Sequence, residues 1–358
     1  TTSNKKVATV SKVGVGKGIS KGKVTITCNV KTPNGTYKLT SKVTVREGAE
    51  EFKINNKVTA LTVGQYYNLN RDLSPITSND LTTWTSSNPE IAKPDKRGKF
   101  TALKEGSVTI TGKTMSGKSD SVKIIVFDED GTVTNQEELD AILASGIKNV
   151  IIKTNDETTF EIPDGIYNKK SLVVDAPNAD VINSAKFKSI EIKHIKATTW
   201  YEKAVGNTIN VSAPKARLVI EENAKAKIVV NSDNVNLDLV NNSNSESELI
   251  INGKATINIS GSSTTPLNVI ANSNATITTS IPLNLTCNSK IELNLLPGAE
   301  NTVITVSDEA FIPVNIGTIP FTVIVGTGSN ARIITVSSSN GSSSGYYSGG
   351  NSGGNTGS

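Results

Sequence analysis

Two short stretches decide the fold of the larger part of this 358-residue chain: Val235-Asn-Leu-Asp-Leu239 and, twenty residues on, Ala255-Thr-Ile-Asn-Ile259. Aliphatic and polar residues alternate in both, as they do in a β-strand that buries one face. Similar strands follow from residue 149 onward, separated by corners rich in Asn, Gly, Ser and Asp. Strands that open a new turn are predicted to start near Leu172, Ile190, Ile209, Ile228, Leu249, Leu267, Leu283, Val303 and Val323.

These starts are 16 to 21 residues apart, and most intervals contain a second strand. A period near 20 residues with two or more strands per turn is typical of a parallel β-helix, in which successive turns stack. The hairpin dipeptides of an antiparallel sandwich are rare here, since only Asp164-Gly165 and Asn252-Gly253 occur. In its arrangement of a short helix followed by many strands, the segment 132–336 resembles right-handed β-helix proteins.

One helix is predicted directly before these strands. Thr134-Asn-Gln-Glu137 has the form of a capping box, in which a Thr and a Glu three residues later satisfy the first backbone amides of a helix. The helix is expected over 135–144, with an apolar stripe formed by Leu139, Ile142 and Leu143. We expect it to cover the open end of the β-helix and to block edge pairing there.

The N-terminal part contains an internal repeat, because residues 1–27 align with residues 85–111 at a constant offset of 84. Thr1-Thr-Ser-Asn-Lys-Lys-Val-Ala8 corresponds to Thr85-Ser-Ser-Asn-Pro-Glu-Ile-Ala92. Both copies then pass through a glycine into Val-Thr-Ile-Thr, which reads as a half-buried strand. The sequence therefore predicts two related modules.

Residues 51–127 resemble bacterial immunoglobulin-like (Ig-like) domains of group 2. The resemblance lies in Trp84-Thr-Ser-Ser-Asn88-Pro-Glu-Ile-Ala92 and in Gly98-Lys-Phe-Thr-Ala-Leu-Lys-Glu-Gly106-Ser-Val-Thr-Ile-Thr111. That family includes modules of invasin- and intimin-type surface proteins. The resemblance implies a small all-β sandwich that acts as a spacer on cell surfaces or in phage tail proteins. Structural roles are expected for Trp84 and for Gly98 and Gly106, since glycine permits tight turns.

The sequence thus predicts an all-β chain with four parts. They are a partial Ig-like domain without its N-terminal strands (1–49), an Ig-like domain (50–128), a parallel β-helix with its capping helix (129–336) and a Ser/Gly-rich linker (337–358). Residues 1–49 alone would leave strand edges open. We therefore expect this half-domain to be poorly ordered or completed by another chain. Both ends of the sequence are expected to continue into a larger molecule.

The composition excludes several classes of site. The chain has one histidine, His194, and two cysteines, Cys28 and Cys287, so a multi-histidine metal site and a four-cysteine zinc site are excluded. The cysteines are expected to be buried small hydrophobes. We predict no catalytic residue, no metal and no cofactor.

Charge is divided unevenly, with +12 in residues 1–127 and −8 in residues 128–358. The basic part has no basic cluster interleaved with aromatics, of the kind that nucleic-acid-binding proteins use. No stretch approaches the roughly 18 apolar residues of a membrane span. We expect neither nucleic-acid binding nor membrane insertion of this fragment.

Trp200 and Tyr201 are the best candidates for contact with a ligand, because exposed aromatic faces commonly bind sugars. The pair falls in the longest insertion between regular strands, and it either stacks on a ligand or packs onto the strands. A lone strand histidine such as His194 is expected at the surface or at a corner. Acidic residues recur at a spacing of 19 in three sets: Asp156–Asp175–His194, Glu161–Asp180 and Glu202–Glu221.

The sequence favours a non-catalytic, secreted protein of the bacterial cell surface, in which Ig-like modules carry a β-helix used for display or adhesion. Its expected partner is an extracellular glycan, a host surface or the cell wall. The alternative is a polysaccharide-active β-helix enzyme, a lyase or a glycoside hydrolase, or a carbohydrate-binding module. An enzyme should have a groove lined by at least two carboxylates and a Lys or Arg on neighbouring turns.

Overall fold

The computed structural model describes residues 1–194 and 199–338, and the chain divides into two compact units, 1–129 and 130–358. Both are built from β-strands, as predicted. From residue 339 onward, the predicted linker lies outside the described residues. The strands of the first unit are β1 (Ala8–Val10), β2 (Gly16–Gly18), β3 (Gly22–Thr32), β4 (Gly35–Val45), β5 (Glu51–Ile54), β6 (Ala60–Thr62), β7 (Tyr66–Asn68), β8 (Arg71–Ser74), β9 (Thr82–Ser86), β10 (Lys99–Thr101), β11 (Gly106–Thr114) and β12 (Ser119–Phe127).

The Ig-like module is built around β6, β12, β11 and β9, which form one sheet in that order, with β5–β8 and β7–β10 as antiparallel pairs. Trp84 packs edge-on against Phe52 with ring centroids 5.9 Å apart. Gly98 has a φ of +82°, and a Cβ there would lie 2.8 Å from the Trp84 ring. At Gly106, with a φ of +129°, a Cβ would lie 2.8 Å from Ile91. The two glycines therefore allow a turn and a close approach at once.

The sequence repeat is also a structural repeat. Thr2 pairs with Ile26 just as Ser86 pairs with Ile110, 84 residues later. The first copy contains little more than β1–β2 and the long β3–β4 hairpin, whose outer strand is mostly exposed, as at Leu39. The expectation that this half-domain is poorly ordered or is completed by another chain stays a prediction.

Cys287 is buried and Cys28 is exposed. The expectation of buried cysteines was therefore right for the first and wrong for the second. Cys28 lies in β3, in the half of the β3–β4 hairpin where both strands are exposed to solvent.

The second unit begins with a two-residue strand and one helix, followed by eighteen strands. Its elements are β13 (Thr132–Val133), α1 (Gln136–Leu143), β14 (Asn149–Lys153), β15 (Thr158–Asp175), β16 (Ala179–His194), β17 (Thr199–Glu202), β18 (Val205–Val211), β19 (Lys215–Ile220), β20 (Lys225–Val230), β21 (Val235–Asn241), β22 (Glu248–Ile251), β23 (Ala255–Ser260), β24 (Leu267–Ala271), β25 (Ala275–Thr279), β26 (Leu283–Cys287), β27 (Ile291–Leu295), β28 (Val303–Val306), β29 (Val314–Asn315), β30 (Phe321–Val325) and β31 (Arg332–Val336), with 3₁₀ turns at Glu309–Phe311 and Gly328–Asn330.

Two parallel sheets run through this unit. The long strands β15 and β16 each contribute their first half to one sheet and their second half to the other. Sheet A contains the second halves, together with β14 and the even-numbered strands from β18 to β30. Sheet B contains the first halves, together with the odd-numbered strands from β17 to β29. Each turn, called a coil below, adds one strand to each sheet. The predicted parallel β-helix is therefore confirmed, as a solenoid of about ten turns. The last strand, β31, pairs antiparallel with β30.

One inward column of sheet A places an aliphatic residue in every coil. Its members are fully buried and pair in register: Val150, Leu172, Ile190, Ile209, Ile228, Leu249, Val269, Leu285, Ile304 and Val323. Leu267 and Leu283 pair with each other two residues before this column. Val303 begins β28 as predicted, but it is 46% exposed, and the inward position is held by the buried Ile304 beside it. Adjacent aliphatic residues do not reveal which one faces inward.

The helix α1 begins one residue later than predicted. Its N-cap is Asn135, whose side chain accepts a hydrogen bond from the Glu138 backbone amide, and Glu138 in turn accepts from the amide and hydroxyl of Thr134. The predicted Thr134–Glu137 capping box is therefore displaced by one position, because Asn135 is an equally good cap. As predicted, Leu139, Ile142 and Leu143 form the buried stripe.

The other end of α1 is fixed by a buried lysine. The Lys170 ammonium donates to the backbone carbonyls of Ile142, Ser145 and Ile147 at 2.5–2.9 Å. Burial lowers the pKa of Lys170. Carbonyl groups at a helix C-terminus attract a cation, so this side chain ties the helix to the first coil.

Candidate functional site

The outward faces of the solenoid pair several of their charges between coils. Arg217 Nε lies 3.1 Å from Asp238 Oδ2 on sheet B, and Lys227 Nζ lies 2.8 Å from Glu248 Oε2 on sheet A. Both pairs join residues that are aligned in neighbouring coils. Exposed pairs of this kind add little stability, but they fix register and leave fewer free charges for a ligand.

The predicted acidic columns are only partly present. Asp175 and His194 are aligned, with His194 Nδ1 2.7 Å from Asp175 Oδ1, and the histidine is at the surface as expected. Asp156 is not part of this column, because Lys153 pairs with Asp175.

The other two sets are not aligned. Glu161 pairs with Ile182 rather than with Asp180, and Glu202 pairs with Ile220 rather than with Glu221. A spacing of 19 does not align these residues, because the coils differ in length and β15–β16 contains register shifts. Within residues 1–194 and 199–338, no three His, Cys, Asp or Glu side chains group closely enough to hold a metal ion.

The structure separates the two predicted ligand-binding aromatics. Trp200 is completely buried in β17, so it cannot stack on a ligand and that prediction was wrong. Of the two alternatives, packing onto the strands holds for Trp200. Tyr201 faces outward on sheet B and is half-buried between Ile182 and Val219 of the adjacent coils. Part of the insertion before them, residues 195–198, lies outside the described residues.

A buried polar cluster surrounds Glu202. Its carboxylate accepts hydrogen bonds from the Asn183 and Asn207 side-chain amides, the Trp200 indole and the Ala204 backbone amide, all at 3.0–3.2 Å. Burial raises the pKa of Glu202 to about 7, although these donors oppose the shift. The cluster connects two successive coils, because Asn183 lies in one and Glu202 and Asn207 lie in the next.

A groove of about 800 Å³ lies between α1 and the outer face of the first coils. Gln136 and Asp140 line it from the helix, and Glu161, Tyr167 and Lys203 line it from the strands. Sequence reasoning missed this groove, because its residues come from segments up to 67 positions apart. The one available signal was the capping helix, since a helix lying across a sheet edge creates a cleft.

Gln136 determines how the helix meets the strands. Its side-chain oxygen accepts from the Glu161 amide at 2.9 Å, and its nitrogen donates to the Glu161 carbonyl at 2.8 Å and to Asp140 Oδ1 at 2.7 Å. The amide side chain thus pairs with β15 as a neighbouring strand would. This contact holds one wall of the groove in place.

None of the helices in the described part of the chain is long and apolar enough to cross a membrane. Residues 49–126 match the model of the bacterial Ig-like domain (group 2), which confirms the resemblance read from the sequence. An uncharacterized protein of Clostridium acetobutylicum is 35% identical over 85 residues, which cover 24% of this chain and 21% of that protein. The chain therefore spans about a fifth of the length of the curated relative it matches.

Solved structures of a surface-layer protein are also similar to part of the chain. The S-layer protein rSbsC(31-844) is 22% identical, covers 35% of this chain and 19% of its own, and has a TM-score of 0.21. Domains 4 and 5 of SbsC are 22% identical, cover 35% of this chain and 68% of their own, and have a TM-score of 0.20.

Proposed function

We propose that this chain is a non-catalytic structural part of a bacterial surface protein, in which the Ig-like module is a spacer and the solenoid is a rigid element for display. The observation that carries the proposal is the in-register column of ten buried aliphatic residues in sheet A. The match of residues 49–126 to a bacterial Ig-like domain supports it.

The corners of the solenoid add regularity that suits such a role. Asn231, Asn252, Asn272 and Asn288 form a ladder in which each side-chain amide donates to the previous carbonyl oxygen at 2.8–2.9 Å. Stacked amides of this kind reinforce a column of identical coils. At about 4.8 Å per coil, nine steps from the first to the last coil give a height of about 43 Å. This is a stiff surface with no metal or disulfide required among the described residues.

Within this proposal the protein is exported and contacts an extracellular glycan, a host surface or the cell wall, and adhesion is one outcome of that contact. The test is location. In the bacterium that makes the full protein, antibodies against the solenoid should label intact cells, and protease added outside should remove the label. Detection only after lysis, in the cytosolic fraction, would refute the proposal.

The rival function is catalysis on a polysaccharide. Two carboxylates and a lysine line the groove beneath α1, which meets part of the arrangement expected of a carbohydrate-active protein. Incubating the chain with neutral and uronic-acid polymers and measuring new reducing or unsaturated ends decides between the two functions. We expect no new ends with any of these polymers. Turnover that is lost in Glu161→Gln would replace the structural proposal with an enzymatic one.

A further inference from the structure

We propose that the groove between α1 and the first coils is a binding site for a neutral oligosaccharide. Its volume, about 800 Å³, lies within the roughly 300–1,000 Å³ of small-molecule sites. This goes beyond the spacer role and does not depend on where the protein resides, so the binding assay and the cell-labelling experiment succeed or fail separately.

The groove contains a rigid aromatic surface. The Tyr167 ring packs against Phe187 with centroids 5.3 Å apart and an interplanar angle of 38°. Gly165 leaves room for it, since a Cβ there would lie 3.2 Å from the Tyr167 ring and hydroxyl. An aromatic ring that is already immobilised loses little entropy when the apolar face of a sugar ring packs on it.

The backbone around this tyrosine departs from the regular ladder. Register shifts between β15 and β16 occur after Ile162 and after Tyr167, so this part of β15 has extra residues relative to its neighbour. Bulges of this kind commonly re-aim side chains next to binding sites. They are found here in the strand that lines the groove.

The groove also has unused hydrogen-bonding groups. Among the described residues, the Glu161 carboxylate, the Lys203 ammonium and the Tyr167 hydroxyl make no hydrogen bond or ion pair, and all three line the groove. Asp140 uses one carboxylate oxygen for Gln136. The site therefore offers both acceptors and donors, which is what vicinal hydroxyl groups require.

The charge of the groove disfavours an anionic ligand. Asp140 and Glu161 against Lys203 give the groove a net charge of −1. An anionic polymer such as a polyuronate would bring carboxylates toward these two acids, and like charges at close range are costly. The half-buried Ile182 provides apolar surface in the same groove. A neutral oligosaccharide, with apolar ring faces and hydroxyl edges, fits this combination best.

Isothermal titration of the full chain tests the proposal with three probes: cellotetraose, chitotetraose and tetragalacturonate. We expect at least one neutral tetrasaccharide to bind with a Kd of about 0.1–1 mM and tetragalacturonate to bind at least about tenfold more weakly. Tyr167→Ala should weaken neutral binding about tenfold or more, and Tyr167→Phe less than about threefold. Tyr66→Ala is the control for the loss of a tyrosine, because Tyr66 is an exposed tyrosine of the first unit and does not line the groove.

Glu161→Gln removes the negative charge of an exposed side chain and keeps its shape, so it tests the effect of charge alone. It should reduce discrimination against tetragalacturonate while changing neutral binding less than about threefold. Three results would overturn the proposal: no saturable binding of either neutral probe, binding of the anionic probe alone, or loss of binding in Tyr66→Ala with retention in Tyr167→Ala. If Tyr167→Ala has a lower melting temperature, Lys203→Met takes its place and should weaken neutral binding about threefold or more, because it removes a donor from the groove. Unchanged neutral binding in Lys203→Met would then count against the proposal.

Discussion

Replacing Glu202 with glutamine should remove a pH dependence from the stability of the solenoid. The Glu202 side chain is 1% exposed and is surrounded by N–H donors from Asn183, Trp200, Ala204 and Asn207. Hydrogen bonds from neutral donors favour the ionised form but do not replace bulk solvation, so desolvation dominates and the pKa rises to about 7.

The sign of the effect follows from linkage. In the unfolded chain the pKa is near 4.5, so the folded state binds this proton more tightly. The contribution of Glu202 to the free energy of unfolding is therefore largest below about pH 4.5 and falls as the pH rises through 7. A shift of this size corresponds to a total loss of about 3 kcal/mol, of which about 2.5 kcal/mol falls between pH 5 and pH 8.

The assay uses the fact that the chain has only two tryptophans. In a Trp84→Phe background, fluorescence reports Trp200 alone, inside the cluster. Urea unfolding at pH 5, 6, 7 and 8 is compared for this background and for the same protein with Glu202→Gln. Glutamine resembles the protonated acid in shape and cannot ionise, so the stability difference between the two proteins should fall by about 2.5 kcal/mol across the range.

Glu222→Gln is the matched control, because Glu222 is an exposed carboxylate at the next corner. Its stability difference should stay within about 0.5 kcal/mol over the same range. A flat difference for Glu202→Gln would mean that the four donors keep the carboxylate ionised throughout. A difference that increases with pH would refute the reasoning about burial.

Three further substitutions test other contacts of the solenoid. Lys170→Met removes the donor for three carbonyls at the end of α1, so we expect about 2–4 kcal/mol of destabilisation and faster hydrogen exchange in α1, whereas the exposed Lys169→Met should change neither. Gly261→Ala places a Cβ against the Asn241 carbonyl oxygen of the preceding coil, at a residue whose φ is +132°. It should lower the free energy of unfolding in urea by about 3 kcal/mol or more, and a decrease below about 1 kcal/mol would contradict the geometry. Asn272→Ala breaks two bonds of the asparagine ladder and Asn288→Ala breaks one, so the first should lower stability about twice as much, roughly 1 against 0.5 kcal/mol, and equal losses would count against the ladder.

The solenoid was predictable because its information is local and repeated. Alternation identifies each strand, and the interval between strands identifies the stacking, so sequence spacing alone places Leu172, Ile190, Ile209, Ile228 and Leu249 in one column. Local information did not show which residue of an adjacent aliphatic pair faces inward, as with the exposed Val303 and the buried Ile304. The capping helix was predicted for the same local reason, and its start was misplaced by a single residue.

The site was not predictable in the same way. Trp200 was placed in an insertion between regular strands, where both stacking on a ligand and packing were open. The chain in fact returns to sheet B at Thr199 and buries the indole. Glu202 carried no sign of its burial, since its partners Asn183 and Asn207 become neighbours only when two coils stack. Contacts between coils depend on the exact length of each coil, which periodicity gives only on average.

The distribution of buried polar residues points to the N-terminal coils as the specialised part of the solenoid. In its described residues, the buried charged side chains are Lys170 and Glu202, and both lie within the first coils. The buried polar residues of later coils are small and neutral, such as Ser243 and Thr279. Sequences tend to break local rules of folding where function requires it. This end of the solenoid contains the register shifts of β15, the buried lysine, the buried glutamate and the open groove. The regular coils thus form a scaffold, and the proposed binding site lies where the chain departs from the repeat.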